Sequence, residues 1–473
     1  MSAMVKTDIC VIGAGSGGLS VAAGAVQMGA DVVLVEKGAM GGDCLNTGCV
    51  PSKALLAAAE RAQSMRTSRI FGVADAKPEI DRAGVNRHVH GVIAAIAPND
   101  SVGRFEELGV RVIRAKGEFV DDKTLRAGDT TIRAKYFVVA TGSSPFVPPI
   151  PGLQGVDYFT NENIFANKGP IGHLIIIGGG PIGMEMAQAH RRLGAKVTVI
   201  EVARLLPKDD PELTKVVIQR LTDEGITFHE GVRDLRFEKT TQGIAACCET
   251  DDGKHCIHAS HLMIATGRRA NVHGLNLEKA GVDYAPQGIK VDARLRSSNK
   301  RVFAIGDVAG PYQFTHMAAY QAGIVIRNML FKLPAKVDYS AVPWVSYTDP
   351  ELAQVGMSEA DAERAGMKVR ILRWSFAEND RAQAEHRTEG LVKVVTGRGG
   401  RILGAAIVGL HAGELIQPWV LAISQHLKIG AMAGMIAPYP TLAEVNKRIA
   451  GSYFTATLFG GRVRHMVRFL LRF

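Results

Sequence analysis

The chain has 473 residues, a formal charge of +10, and apolar and charged fractions of 47% and 22%. That length excludes one compact domain and predicts several. The basic balance comes without interleaved aromatic residues or zinc-finger spacing, which excludes a nucleic-acid binder and leaves anionic cofactors or an anionic surface. Six cysteines, Cys10, Cys44, Cys49, Cys247, Cys248 and Cys256, are too few and too unevenly spread for a secreted disulfide scaffold. Lys6 and Asp8 interrupt any signal-peptide core, and no stretch approaches the ~20 apolar residues of a spanning helix. The expected compartment is the cytoplasm.

Asp8-Ile-Cys-Val-Ile-Gly13 reads as a buried parallel strand, followed by a small-residue helix from Gly18 to near Gly29 and a second strand, Asp31 to Glu36. Gly13-Ala-Gly15-Ser-Gly-Gly18 fits the dinucleotide fingerprint: a tight turn, close approach of backbone to pyrophosphate, and tight helix–strand packing. Helix-start N–H groups then face the phosphates, and Glu36 is placed to accept from a ribose. The same unit returns downstream as Gly178-Gly-Gly180-Pro-Ile-Gly183 with Glu201, at the same glycine-to-glutamate spacing. A lone glycine pattern is a weak signal. Here strand, turn, helix and acid all occur twice, so two dinucleotide sites are expected. Glu201 favours a free 2′-hydroxyl over a 2′-phosphate, hence NAD(H) over NADP(H); nearby Arg204 softens that preference.

Between the two units lies Gly41-Gly-Asp-Cys44-Leu-Asn-Thr-Gly-Cys49-Val-Pro-Ser-Lys53. Its cysteines fall at the mouth of a helix expected over 51–59. A thiolate near a helix start, with Lys53 a turn away, has a depressed pKa and is reactive. The competing reading is two buried structural cysteines; zinc fails for want of a second ligand pair.

Further elements follow in order. Val138-Val-Ala-Thr141-Gly142 and Met263-Ile-Ala-Thr-Gly267 are matching strand ends, and the prolines and glycines of 144–155 suggest a domain crossing. Val302-Phe-Ala-Ile-Gly-Asp307 reads as a strand delivering a carboxylate. From 336 onward, strand-like runs (Leu391 to Val395, Leu403 to Val408) and an apolar helix expected over 413–427 predict an α+β domain. Vicinal Cys247-Cys248 falls in an expected surface strand and reads as structural rather than metal-delivering.

Gly-Gly-x-Cys-Leu-Asn-x-Gly-Cys-Val-Pro-Ser-Lys is similar to the redox-centre motif of the pyridine nucleotide–disulfide oxidoreductases, the family of lipoamide dehydrogenase, glutathione reductase and mercuric reductase. The resemblance runs through both glycine turns, both Ala-Thr-Gly strands, Gly306-Asp307 and Tyr347-Thr-Asp-Pro-Glu-Leu-Ala. It implies an α/β fold: two Rossmann-like domains, for FAD (1–148 and 274–335) and NAD(P) (149–273), and a C-terminal α+β dimerisation domain (336–473). It implies FAD contacts at Gly13, Gly15, Gly18, Glu36, Thr141, Gly142 and Asp307. The NAD(P) contacts would be Gly178, Gly180, Gly183, Glu201 and Gly267. Cys49 would be the thiol beside the flavin, Cys44 the one exchanging with substrate, and Lys53 would pair with Glu185. For Glu185 the plain alternative is an exposed helical glutamate.

The implied chemistry is hydride transfer from NADH to the flavin, which then opens a Cys44–Cys49 disulfide. The implied partners are a second copy sharing the active site and a small disulfide, lipoyl group or soft metal ion. Two departures stand out. Lipoamide dehydrogenase and glutathione reductase carry His-Pro-Thr-x-x-Glu where this chain has Tyr439-Pro-Thr-Leu-Ala-Glu444. A phenol is a poor base near neutrality. Mercuric reductases share the tyrosine but usually carry a terminal vicinal cysteine pair, which is missing from Arg468-Phe-Leu-Leu-Arg-Phe473. His316, His386 and His411 are weak substitutes for the base. The basic, amphipathic run Arg462 to Phe473 is expected to dock on the dimer rather than rest on a membrane. An alternative whole-protein reading is a membrane-surface NADH:quinone oxidoreductase, which leaves the cysteine pair idle.

Overall fold

The computed structural model describes residues 3–241 and 243–473. Its first sheet is ordered 111–113, 32–35, 3–12, 130–139, 124–127, 117–119, with 302–304 also paired to 130–139. The strands around Ala3–Ile12 run parallel, and the hairpin side is antiparallel. Ile9, Cys10, Val11 and Ile12 are all essentially buried, as a parallel strand covered on both faces requires. Helix Ser16–Gln27 lies on one face against helix Thr315–Met329.

The second sheet is wholly parallel, ordered 226–229, 196–200, 173–177, 261–264, and carries an antiparallel meander over 233–259. Chain crossings between the two sheets pair with each other: Ser143–Pro145 runs antiparallel to Arg268–Ala270. The third sheet, 343–346, 351–356, 402–409, 391–396, 370–375, is antiparallel throughout. Helices pack on it through Trp419, fully buried, whose indole N–H donates to Asn446 Oδ1 at 2.7 Å.

Buried charges join the second and third sheets, and each is paired. Lys393, 5% exposed, meets Asp210 at 2.7 Å and Glu359 at 2.6 Å. Arg192, 4% exposed, meets Glu224 and Asp349 at 2.5 and 2.8 Å. Removing one partner of such a pair would strand the other charge at a cost of about 3–5 kcal/mol.

Two expected helices differ from the sequence reading. The helix of the cysteine motif runs from Cys49 to Arg66, well past Ala59, because the alanine-rich stretch holds no breaker. The apolar helix expected over 413–427 is two short pieces, Ala412–Leu415 and Gln417–Ser424. Pro418 has no N–H to give the Glu414 carbonyl, and His426 adopts a left-handed φ of 53° that ends the second piece.

Candidate active site

Cys44 sits in the short helix Gly42–Asn46 and Cys49 opens helix Cys49–Arg66. Both are free thiols in hydrogen-bond contact. The contact splits their acidities. Cys49 is lowered to about 6, mainly by the hydrogen bond from Cys44, with help from the Thr315 hydroxyl and the Lys53 ammonium and against the effect of burial. Cys44, the donor, is pushed up by that same bond and by burial. Thr315, the first residue of helix Thr315–Met329, places its Oγ1 3.4 Å from Cys49 Sγ.

One turn into the cysteine helix, Lys53 Nζ meets Glu185 Oε2 at 2.6 Å. Glu185 lies on helix Pro181–Arg192 of the second unit and is 5% exposed, so it is no surface glutamate. Its other oxygen accepts the Tyr347 N–H at 3.0 Å, and Lys53 lies over the Tyr347 ring, 4.2 Å from its centre. Burial raises the Tyr347 phenol. An ammonium is thus held beneath the cysteines by segments from all three sheets.

A second chain of contacts joins two motif residues, Asp43 and Asp307, through residues that no motif contains. Asp43 accepts from Thr47 Oγ1 and Asn161 Nδ2, both at 2.9 Å, and pairs with Arg268 Nη2 at 3.2 Å. Arg268 Nε donates to Ser143 Oγ at 2.7 Å, and Ser143 donates to Asp307 Oδ2 at 2.6 Å. Burial raises Asp307. Arg268, 12% exposed, therefore ties the cysteine segment to the strand ends of both units. The only hint in the sequence is its place one residue after the Ala-Thr-Gly267 run.

The two glycine turns are nearly superimposable in their contacts. Glu36 accepts from Ala14 N at 2.6 Å and Gly38 N at 2.5 Å; Glu201 accepts from Gly179 N at 2.7 Å and Ala203 N at 2.8 Å. A Cβ on Gly18 would fall 1.8 Å from Gly13 O, and one on Gly183 2.0 Å from Gly178 O. Helix–strand contact leaves room only for hydrogen there. Gly15 and Gly180 cap their helices, and no side chain satisfies the first N–H groups of either. Open helix starts of this kind suit a pyrophosphate, so the residues present fit two dinucleotides.

The matching strand ends are locked to the crossings. Thr141 Oγ1 donates to Asn271 O at 2.8 Å, Gly142 O accepts Asn271 N at 3.0 Å, and Gly267 O accepts Phe146 N at 2.9 Å.

Tyr439 and Glu444 lie apart from these groups in the terminal unit. The exposed Tyr439 donates to Asp380 Oδ2 at 3.0 Å, and this bond raises its phenol. Glu444 starts helix Glu444–Leu458 and faces Arg448 at 3.7 Å. The candidate histidines are engaged elsewhere: His316 with Pro343 O at 2.9 Å, His386 against the Phe71 ring, and His411 at a left-handed helix start. Cys247 does not act with vicinal Cys248. It bonds Cys256, its cross-strand neighbour, while Cys248 is buried. Strand alternation puts Cys247 and Cys248 on opposite faces, which adjacency in sequence conceals.

Residues 7–322 match the model of the pyridine nucleotide-disulphide oxidoreductases and 342–450 that family's dimerisation domain. The chain belongs to this family. A mercuric reductase of Streptomyces lividans is 35% identical over 95% of this chain and 96% of its own length. A dihydrolipoyl dehydrogenase of Thermus scotoductus is 35% identical over 93% of this chain and 96% of its own. In fold the chain is similar to LpdA of Mycobacterium tuberculosis, with a TM-score of 0.87, 24% identity, and coverage of 94% of this chain and 99% of that one.

The protein is therefore a flavoprotein disulfide oxidoreductase, and its family implies FAD, a pyridine nucleotide and a homodimer. These findings favour the disulfide reading over the quinone alternative. Among the described residues no helix is long and apolar enough to cross a membrane.

Proposed function

We propose that the enzyme uses NADH to reduce a soft metal ion held by thiolates, with a small disulfide as the second-best acceptor. The observation that carries this is the state of Cys44. Its polar neighbours are Cys49 and the Thr315 hydroxyl, Cys49 and burial push its thiol up, and no imidazole or carboxylate of its own chain bonds it among the described residues. A dithiol reaction needs a base to take the thiol proton. A thiophilic cation needs none, because coordination itself displaces the proton. The mercuric reductases among the relatives support the reading.

In this reading the chain divides as 1–148 with 274–335, 149–273 and 336–473, for FAD, NAD(H) and dimer contact. Gly13, Gly15, Gly18, Glu36, Thr141, Gly142 and Asp307 hold FAD. Gly178, Gly180, Gly183, Glu201 and Gly267 hold the nicotinamide dinucleotide. Arg204 donates to the Pro207 and Asp209 carbonyls and is not free to meet a 2′-phosphate, which supports NADH. When bound, FAD supplies a two-electron relay between nicotinamide and sulfur. Lys53 offers that relay a positive charge kept in place by Glu185. Cys49 keeps its thiolate beside it, and Cys44 faces the acceptor.

With a disulfide, Cys44 sulfur attacks one acceptor sulfur while its proton passes by way of the Cys49 thiolate to the departing sulfur, which leaves as a thiol. Cys49 then attacks Cys44, the other acceptor sulfur leaves as a thiolate, and the Cys44–Cys49 disulfide returns for the next electron pair from NADH. Tyr439 and Glu444 of a second copy complete the shared site.

The test is NADH consumption by holoenzyme with Hg(II) held by excess thiol, glutathione disulfide and lipoamide. Hg(II) is expected to be turned over at least about tenfold faster than lipoamide, near 1.4 kcal/mol of barrier. Equal or reversed rates would remove the metal reading. Tyr439→His is expected to raise turnover of lipoamide several-fold; no gain would mean that the tyrosine is not what limits it.

A further inference from the structure

The last helix, Gly461–Leu470, has no buried residue and lies beyond the segment that matches the dimerisation domain. Its hydrophobic side chains are bare: Met466 55%, Phe469 58%, Leu470 58%, Leu471 80% and Phe473 95% exposed. Such a patch calls for a partner. Its arrangement is ordered. At about 100° per residue, Arg464, His465, Arg468 and Arg472 share an arc of roughly 100°, and Val463, Met466, Val467, Leu470 and Leu471 fill the opposite side. Phe469 and Arg462 lie at one boundary.

Charge decides between occupants. No aspartate or glutamate follows Glu444, whereas Lys447, Arg448, Arg462, Arg464, Arg468 and Arg472 do. None of the four tail arginines makes an ion pair among the described residues; the one side-chain bond of the helix is His465 to Gly461 O at 2.8 Å. A second copy of this chain carries +10 itself, so it offers these arginines no net negative charge. An anionic lipid surface satisfies both sides of the helix at once, taking the apolar arc among acyl chains and the arginines among phosphates.

We propose that residues 461–473 form an in-plane anchor that holds this enzyme on anionic bilayers. The helix is too short to span one. A dimer carries two such helices, so weak single contacts add through effective concentration. The inference does not depend on the electron acceptor.

The experiment is co-sedimentation of flavin-loaded, full-length enzyme with vesicles of phosphatidylglycerol and phosphatidylcholine, or of phosphatidylcholine alone. Binding is expected to the mixed vesicles, not to the neutral ones, and to weaken with salt. A triple variant, R464E/R468E/R472E, should bind the mixed vesicles at least about a hundredfold more weakly. Its NADH-driven flavin reduction should be unchanged, which shows that it is folded. Phe469→Trp should show a blue-shifted emission on the mixed vesicles alone. No binding to the anionic vesicles, or equal binding by the triple variant, would overturn the anchor. Protection of 461–473 from hydrogen exchange in the lipid-free dimer would also overturn it, in favour of docking between copies.

Discussion

The two glycine turns share their strand, their carboxylate and their forbidden Cβ positions, yet one is roofed at its middle glycine and the other is open there. Both turns are crossed by the downstream chain, Gly41 N bonding Ala14 O and Leu206 N bonding Gly179 O, each at 2.9 Å. Only at the first does that chain press on the middle glycine: a Cβ on Gly42 would fall 2.7 Å from Gly15 Cα. Around Gly180 a Cβ would meet nothing within 4 Å. The same local sequence thus gives two kinds of site. A nucleotide at the first turn would lie against the chain that carries Cys44 and Cys49, whereas one at the second would have Gly180 clear. The difference arises in where the downstream segment lies: Gly42 abuts Gly15, whereas Leu205 and Leu206 lie over Gly179 and leave Gly180 clear.

Matched substitutions give the largest expected effect. Gly18→Val should abolish flavin loading and destabilise the fold, since the overlap with Gly13 O belongs to the class that costs more than about 4 kcal/mol. Gly183→Val carries the same overlap with Gly178 O; it should destabilise the second unit to a like degree and eliminate reduction by NADH, while the first unit keeps its flavin. Flavin absorbance of the purified proteins and stopped-flow reduction read the two outcomes. Flavin retained in Gly18→Val would break the distinction between a resident and an exchangeable cofactor.

The roof itself is tested through Cys49. Cys49→Ser should cut turnover with any thiol-reactive acceptor at least about 10³-fold. In the native enzyme reduced by NADH, the long-wavelength absorbance of a thiolate against flavin should titrate near the lowered value of about 6. The sign is fixed: the thiolate persists above that pH and is lost as pH falls through it. Thr315→Val removes one stabilising hydroxyl and should move the midpoint up. A midpoint near the ordinary thiol value of 9.0 would mean that the contact from Cys44 does not form in solution.

How much of this is legible in the sequence depends on the range of each interaction. The glycine units are legible because turn, helix start and acid are fixed by neighbours within one supersecondary unit. Lys53 with Glu185 is legible only through the family resemblance, since 132 residues separate them. The Asp43–Arg268–Ser143–Asp307 chain has no periodicity to announce it, because it forms where the two crossings pair. Cys256 does not declare itself as the partner of Cys247, since register across a meander is set by turns that composition does not specify. Tyr439 stands out as a departure, but its bond to Asp380 spans the terminal unit and has no local signature.

Helix Pro181–Arg192 of the second unit also carries a buried histidine toward Arg82 of helix Arg82–Ile96, with no equivalent at the first turn. Neither ring nitrogen of His190 has a partner among the described residues, and burial, reinforced by Arg82, lowers it to about 4. The folded chain therefore keeps the ring neutral while the unfolded chain, near 6.5, takes up a proton first. Stability should be unaffected above pH 6.5 and fall by roughly 3 kcal/mol as pH drops toward 4. Urea midpoints of the native protein and of His190→Leu, measured across that window, should converge at neutral pH in their pH dependence and diverge below it. Parallel curves would place the proton elsewhere.

The smallest effect returns to the two carboxylates. Glu36 and Glu201 each accept two backbone N–H bonds, one at each oxygen, so a glutamine at either position removes the charge and, because its NH2 cannot accept, one of the two bonds. At the open turn, Glu201→Gln should raise the KM for NADH and lower that for NADPH, moving their ratio about tenfold, the worth of one hydrogen bond to a charged group. At the first turn, the cofactor would be flanked by Gly41 and Gly42 beside Glu36→Gln. The same loss of charge there should appear as slower flavin reloading after stripping, with kcat unchanged. If instead both variants altered only KM for NADH, the roof would contribute nothing, and the two turns would be equivalent sites.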